Sequence, residues 1–313
     1  MTGYGPELLD RLTTSVVGRR RELESIVAAL AAGRHLLLEG PPGTGKSTVL
    51  RAIAEGSGAG FEFVEGNAEL TPARLIGAFD PSVVLNDGYS PDAFIDGPLV
   101  SALRDGSLLY VEELNRVPEE TLNVLITVMS EGEVHVPRLG RIPATDGFRL
   151  VAAMNPFDAV GTARIASAVY DRCCRLAMGY QDHDEEAAIV ERRADGAAAV
   201  LGDAGTRAAV AMVRDSRSHP DVRTGSSVRG AIDVAMVARE LAALRGCDVL
   251  DPSVTLDAAL LALSGRIRVR DGCGRSAEDV VTELWRRHFE TSAPDGDGAQ
   301  PDAAGNGAPP GKA

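Results

Sequence analysis

The stretch Gly40-Pro41-Pro42-Gly43-Thr44-Gly45-Lys46-Ser47-Thr48 carries the most specific chemistry in the chain. Gly40, four residues, then Gly45-Lys46-Ser47 is the spacing of a P-loop. Its glycines let successive backbone N–H groups curl around phosphate oxygens, and a following helix adds the partial positive charge of its N-terminus. The Ser47 hydroxyl can ligate Mg²⁺. Lysine usage points the same way. The chain has 30 arginines but only two lysines, Lys46 and Lys312. A lysine ammonium is a compact point charge on a flexible stem. It threads between β- and γ-phosphates, where a planar guanidinium fork is too broad.

A second group of residues lies at 108–116, where four apolar residues end in Glu112 and Glu113. In P-loop enzymes the first acid at this place holds the Mg²⁺ shell, and the next can orient and deprotonate the attacking water. Glu112 is therefore the metal candidate and Glu113 the water-activating candidate. Asn155 ends another apolar run, 150–155, and its side-chain amide would hold the attacking water beside Glu113.

These residues need a parallel sheet to position them. Apolar runs at 35–39, 61–66, 107–113, 150–155 and 175–180 read as strands. Helical periodicity at 19–32 and 118–132 falls between them. Strand and helix alternate to about residue 180, which implies a parallel sheet sandwiched by helices. Residues 78–98 have no clean period and carry turn residues, so an insertion or mobile loop is expected there. Residues 133–149 alternate and turn as a hairpin does. From 181 onward four or five helical segments follow, with no convincing strand. The charges that open the first of them read as a solvated face, and Trp285 reads as a core anchor of the last. The expected organisation is an α/β nucleotide-binding domain at 1–180, an all-helical lid at 181–291 and a disordered tail at 292–313.

Composition excludes several classes. The 313 residues are 44% hydrophobic, 25% charged and only 4% aromatic, so the core must rest on Leu, Val, Ile and Ala. A net charge of −13 argues against whole-surface binding to nucleic acid or membrane. No apolar run approaches the roughly 18 residues of a membrane helix, and the N-terminus lacks the pattern of a signal peptide. Cys173, Cys174, Cys247 and Cys273 form no CxxC and read as small buried apolar residues. The five histidines are scattered, which disfavours a transition-metal site. A cytoplasmic protein is the expectation.

The stretches GPPGTGKS, LLYVEELNRVPEETLNVLITVMSEGEV, AAMNP and YDRCCRL, in this order, resemble the MoxR family of AAA+ ATPases. The resemblance covers about residues 15–270. It implies a P-loop AAA+ sheet domain with a helical lid, Mg-dependent hydrolysis of ATP, and a ring of subunits, read as a hexamer. By matching motif it assigns Asn155 as first sensor, Arg172 as an arginine finger reaching a neighbour's nucleotide, and Arg229 as second sensor on the lid. Arg175 and Arg223 are the nearest rivals. It also implies a remodelling chaperone that assembles or activates partner enzymes, often metalloenzymes, together with von Willebrand A-type proteins. The family usually has Asp-Glu where this chain has Glu112-Glu113. One extra methylene moves the carboxylate by about 1.3 Å, so retained but slower hydrolysis is expected.

Two other functions fit parts of the sequence. His135, Arg138, Arg141 and Arg149 make the hairpin locally basic, as a nucleic-acid motor or loader would need, although the acidic total and the lack of aromatic-basic interleaving oppose it. Glu112 leaves room for a non-hydrolysing, nucleotide-gated scaffold.

Overall fold

The computed structural model describes residues 3–156 and 167–290. Five strands form one sheet: β1 (His35–Glu39), β2 (Phe61–Glu65), β3 (Leu108–Glu112), β4 (Arg149–Met154) and β5 (Cys173–Ala177). Their spatial order is β2-β3-β4-β1-β5, and every adjacent pair is parallel. Parallel neighbours require crossovers, which the intervening helices supply. The central strands β1, β3 and β4 are covered on both faces, which is why they read as continuous apolar runs. Leu36, Leu38, Tyr110 and Val151 face helices α1 (Pro6–Ser15), α2 (Arg20–Ala31) and α3 (Lys46–Ser57). Leu37, Leu109, Val111 and Leu150 face α4 (Pro98–Asp105) and α5 (Glu119–Glu131). Each such aliphatic side chain contributes about 1.5–3 kcal/mol when fully buried. A short helix, α6 (Ser167–Arg172), leads into β5.

Five helices form a separate core: α7 (His183–Arg193), α8 (Ala197–Ser218), α9 (Val228–Arg245), α10 (Pro252–Leu263) and α11 (Ala277–Trp285). The helix α7 starts at a capping box made by Asp182 and Glu185. Ala231, Ala235 and Ala238 of α9 and Ala258, Ala259 and Ala262 of α10 are buried where these two helices pack. Trp285 anchors α11 as expected, 5% exposed, with its indole N–H donating to Thr255 Oγ1 at 3.0 Å.

Several expectations need correction. Glu186, expected on a solvated face, is buried and paired with Arg214 at 3.1 Å and Arg217 at 2.8 Å. The helical unit also contains a small antiparallel ribbon, Val222–Thr224 with Arg268–Val269. Segments of two and three residues carry no readable period. The region expected to be irregular at 78–98 is ordered: Gly77–Phe79 pairs with Phe94–Asp96, and Asp80 caps the helix Pro81–Asp87 by accepting from the Ser82 N–H at 2.7 Å. Asp followed by Pro is a helix-start signal that the turn residues around it obscured. Cys174 and Cys247 are exposed; Cys173 and Cys273 are half-buried. The hairpin at 133–149 forms from Glu133–Val136 and Gly140–Pro143. Arg138 at its turn lies 3.8 Å from the centre of the Tyr89 ring in the insertion. The expectation for the tail, 292–313, falls outside the described residues. Among the described residues, no helix is long and apolar enough to cross a membrane.

Candidate functional site

The loop 40–45 leaves the C-terminal end of β1 and turns into α3. Its start is fixed by crowding. The Gly40 N–H donates to the Met154 carbonyl at 3.1 Å, and a Cβ on Gly40 would lie 2.1 Å from the Met178 carbonyl oxygen. No side chain caps α3, so its first-turn N–H groups are open to an anion. Lys46 is 8% exposed, and its ammonium donates to the carbonyls of Gly40 at 2.8 Å and Pro41 at 3.0 Å. Burial pushes its pKa below the usual lysine value, while Glu112 and Glu113 pull it back up.

Ser47 Oγ donates to Glu112 Oε1 at 2.8 Å and lies 3.2 Å from the Tyr110 hydroxyl. This tests the fit to magnesium. Both donors are hard oxygens, and adjacent oxygens of an octahedron with bonds near 2.1 Å stand about 3.0 Å apart. The longer Glu112 side chain therefore still reaches the serine, and the pair fits the ion. Burial raises the Tyr110 pKa well above the usual tyrosine range, so its hydroxyl keeps its proton.

Glu113 directly follows β3 with φ 54° and ψ 44°. A non-glycine residue in this left-handed region is strained, and such strain concentrates at functional positions. Its Oε2 is buried and lies 3.2 Å from Arg116 Nε, outside hydrogen-bond alignment. Asn155 follows β4 and lines the same cleft, of about 110 Å³, as Lys46, Ser47, Glu112 and Glu113. Pro42, Gly43, Thr44, Gly45 and Thr48 form the loop side of it.

Arg229 reaches this cleft from the helical unit, in the first turn of α9. The approach is close: Gly43 has φ +77°, and a Cβ on it would lie 2.3 Å from Ser227 Oγ. Arg229 also borders a second cavity, about 190 Å³, lined by Val16, Val17, Gln181, Ile189 and Ile232.

Arg172 is elsewhere. Along the parallel pair β1–β5, His35 faces Cys173 and Glu39 faces Ala177. Arg172 thus precedes the end of β5 remote from the loop, four registers or roughly 13 Å away. Its guanidinium donates to the Ala168 carbonyl at 3.0 Å and to Ser130 Oγ. Of the rivals, Arg175 is tied to Glu39, and Arg223 stands exposed in the small ribbon.

Sequence reasoning missed some participants. Arg19, 7% exposed and immediately preceding α2, donates to the carbonyls of Thr44 at 3.0 Å and Gly179 at 2.6 Å, bracing the loop. Gln181 donates to the Val17 carbonyl at 2.5 Å. Tyr110 looked like one more apolar strand residue. These contacts join residues far apart in sequence, and no local pattern announces them.

Comparison with known proteins agrees with this geometry. Residues 35–173 match the AAA domain (dynein-related subfamily), and residues 214–284 match the AAA lid domain. The uncharacterized protein YeaC of Bacillus subtilis is 27% identical, across 88% of this chain and 91% of its own. Gas vesicle ATPase GvpN1 of Halobacterium salinarum is 26% identical, across 90% of this chain and 82% of its own. A RuvB mutant from Thermotoga maritima superimposes with a TM-score of 0.53 at 19% identity, across 82% of this chain and 73% of its own, a likeness of fold alone. With a sheet in this order, a lid laid on the phosphate loop and both domains matched, the chain belongs to the AAA+ family, in its dynein-related, MoxR-like branch.

Proposed function

We propose that this protein binds and hydrolyses Mg·ATP as a ring, read as a hexamer, and spends the cycle remodelling a partner protein. The observation that carries the reading is the convergence of Lys46, Ser47, Glu112, Glu113, Asn155 and Arg229 on one cleft. Residues to about 180 form the catalytic unit, and 181–291 its moving lid. Lys46 leaves the loop carbonyls to take up the charge of the phosphates. Ser47 and Glu112 would hold Mg²⁺, which would supply neutralisation of phosphate charge when bound. Glu113 accepts the proton of the attacking water, and Asn155 orients that water. Arg229 contacts the γ-phosphate from the lid, tying lid position to nucleotide state. Arg172, too remote for its own subunit's loop, serves the neighbour's nucleotide.

The client is read as an enzyme, often a metalloenzyme, engaged with a von Willebrand A-type partner in the cytoplasm. The gas vesicle ATPases among the relatives extend the client class to gas-vesicle proteins. Two of the hairpin's cations already have partners, Arg141 on Glu133 and Arg138 on Tyr89, which favours remodelling over a nucleic-acid motor.

Two measurements test the reading. Calorimetry with Mg·ATP should give heat for the native chain and none for Lys46→Ala. Hydrolysis per subunit should rise with protein concentration, and Arg172→Ala should bind ATP while losing about 10³-fold or more in rate. Concentration-independent turnover, or wild-type turnover by Arg172→Ala, overturns the ring mechanism. No phosphate release from the native chain, even with partner present, leaves a nucleotide-gated scaffold.

A further inference from the structure

Glu39 ends β1, one residue before the phosphate loop, and is 3% exposed. A buried carboxylate is costly unless its oxygens are paired. Here the two oxygens serve different elements. Oε1 accepts from the Tyr170 hydroxyl of α6 at 2.9 Å. Oε2 accepts from Arg175 of β5, at 2.6 Å from Nε and 2.5 Å from a terminal nitrogen. Tyr170 lies two residues before Arg172, and Arg175 three residues after it. The carboxylate therefore grips both flanks of the segment that carries Arg172.

The backbone of Glu39 belongs to the loop's foundation. Its carbonyl accepts from the Met178 N–H at 2.7 Å, and the adjoining Gly40 is held between Met154 and Met178. A shift of the loop's first residues must move the carboxylate, and the carboxylate must drag Tyr170 and Arg175. Tyr170 is 41% exposed, and the Arg175 side chain 54%. Neither is held in place by burial, so Glu39 is the anchor.

We propose that Glu39 is a positioning residue that couples one subunit's phosphate loop to the arginine which that subunit presents to its neighbour's nucleotide. The inference rests on the reading that Arg172 acts in trans. Its consequence is directional: occupancy of one loop sets the catalytic competence of the next site around the ring.

A mixing experiment tests it. Glu113→Gln subunits have an intact Arg172 but cannot activate water. Arg172→Ala subunits have an intact pocket but no finger. Each is inert alone, and their mixture regains turnover because the first completes the pocket of the second. The substitution under test goes into the Glu113→Gln subunit only, whose own pocket is already silent. Glu39→Ala there should lower the mixed rate at least tenfold, Tyr170→Phe two- to tenfold, and Glu39→Gln, which keeps both hydrogen-bond positions, less than Glu39→Ala. Size-exclusion profiles and melting curves confirm that the altered subunit folds and joins the ring. Should Glu39→Ala misfold, Tyr170→Phe decides, since it removes one hydroxyl from a part-exposed ring. If the starting mixture stays inert, the trans reading falls and the coupling with it. If the mixture is active and neither Glu39→Ala nor Tyr170→Phe in the donor slows it, the coupling alone is wrong.

Discussion

Gly43 is where the lid touches the loop, and Gly43→Ala measures what that contact does. The new Cβ would lie 2.3 Å from Ser227 Oγ and 2.4 Å from Ser227 Cβ, whereas ordinary contact begins at 3.4 Å. A hydroxyl can rotate away, but a Cβ cannot, so the start of α9 or the loop must yield by about 1 Å. The backbone adds a second cost. With φ at +77°, an L side chain on this residue loses about 1–2 kcal/mol. An empty alanine loop relaxes out of this shape and must return to it to wrap a phosphate. Both costs therefore appear in binding, and the backbone part alone weakens affinity about 5–30-fold. Ser227→Gly separates the two. Ser227 is the N-cap of α9 and makes no side-chain capping bond, so its loss is cheap, a few tenths of a kcal/mol. The double variant Gly43→Ala/Ser227→Gly should recover the steric part and keep the backbone part. The assay is titration calorimetry with Mg·ATP in a Glu113→Gln background, where no nucleotide is consumed. Native affinity in Gly43→Ala, or a double variant that binds no tighter than the single, refutes the argument.

Other outcomes are open to measurement. Glu113→Gln should bind ATP normally and release phosphate 10²–10⁴-fold more slowly, as loss of a general base predicts; unchanged release would assign the proton to another group. Glu112→Asp withdraws the carboxylate by about 1.3 Å from a 2.8 Å contact with Ser47. The magnesium concentration for half-maximal ATP binding should then move several-fold, and an unchanged value would show that this contact does not matter to the ion. Burial, with Arg149 and Arg34 nearby, lowers the pKa of His35 to about 4. An unfolded histidine titrates near 6.5, so below that pH the unfolded chain takes up the proton first. Stability from this group is complete above pH 6.5 and should fall by about 2 kcal/mol by pH 5. Thermal melts of His35→Gln between pH 7 and pH 5 should show a flatter slope than the native chain, and equal slopes would contradict the shift.

What could be read in advance follows from where information lies along the chain. β1, β3 and β4 were legible because a strand covered on both faces must be apolar throughout. β5 was expected at 175–180 but runs Cys173–Ala177, because it lies at the sheet's edge, where its side chains are half-buried or exposed in no regular order and leave no apolar run to read. The phosphate loop was legible because its glycines, lysine and serine are contiguous. The acids after β3 were legible as a pair, but the left-handed backbone of Glu113 was not, since glutamate carries no mark of it. Tyr110 and the bracing guanidinium of Arg19 act across 63 and 25 residues of sequence. Contacts of that span are set by the order of strands in the sheet, which periodicity does not encode.

The hairpin turn and the insertion meet through the Arg138 guanidinium above the Tyr89 ring. At an exposed position such a pair is worth about 0.5–1 kcal/mol, close to a single thermal jolt. It works as a clasp that opens and refastens on its own, giving two projections one resting posture without fusing them into one rigid arm.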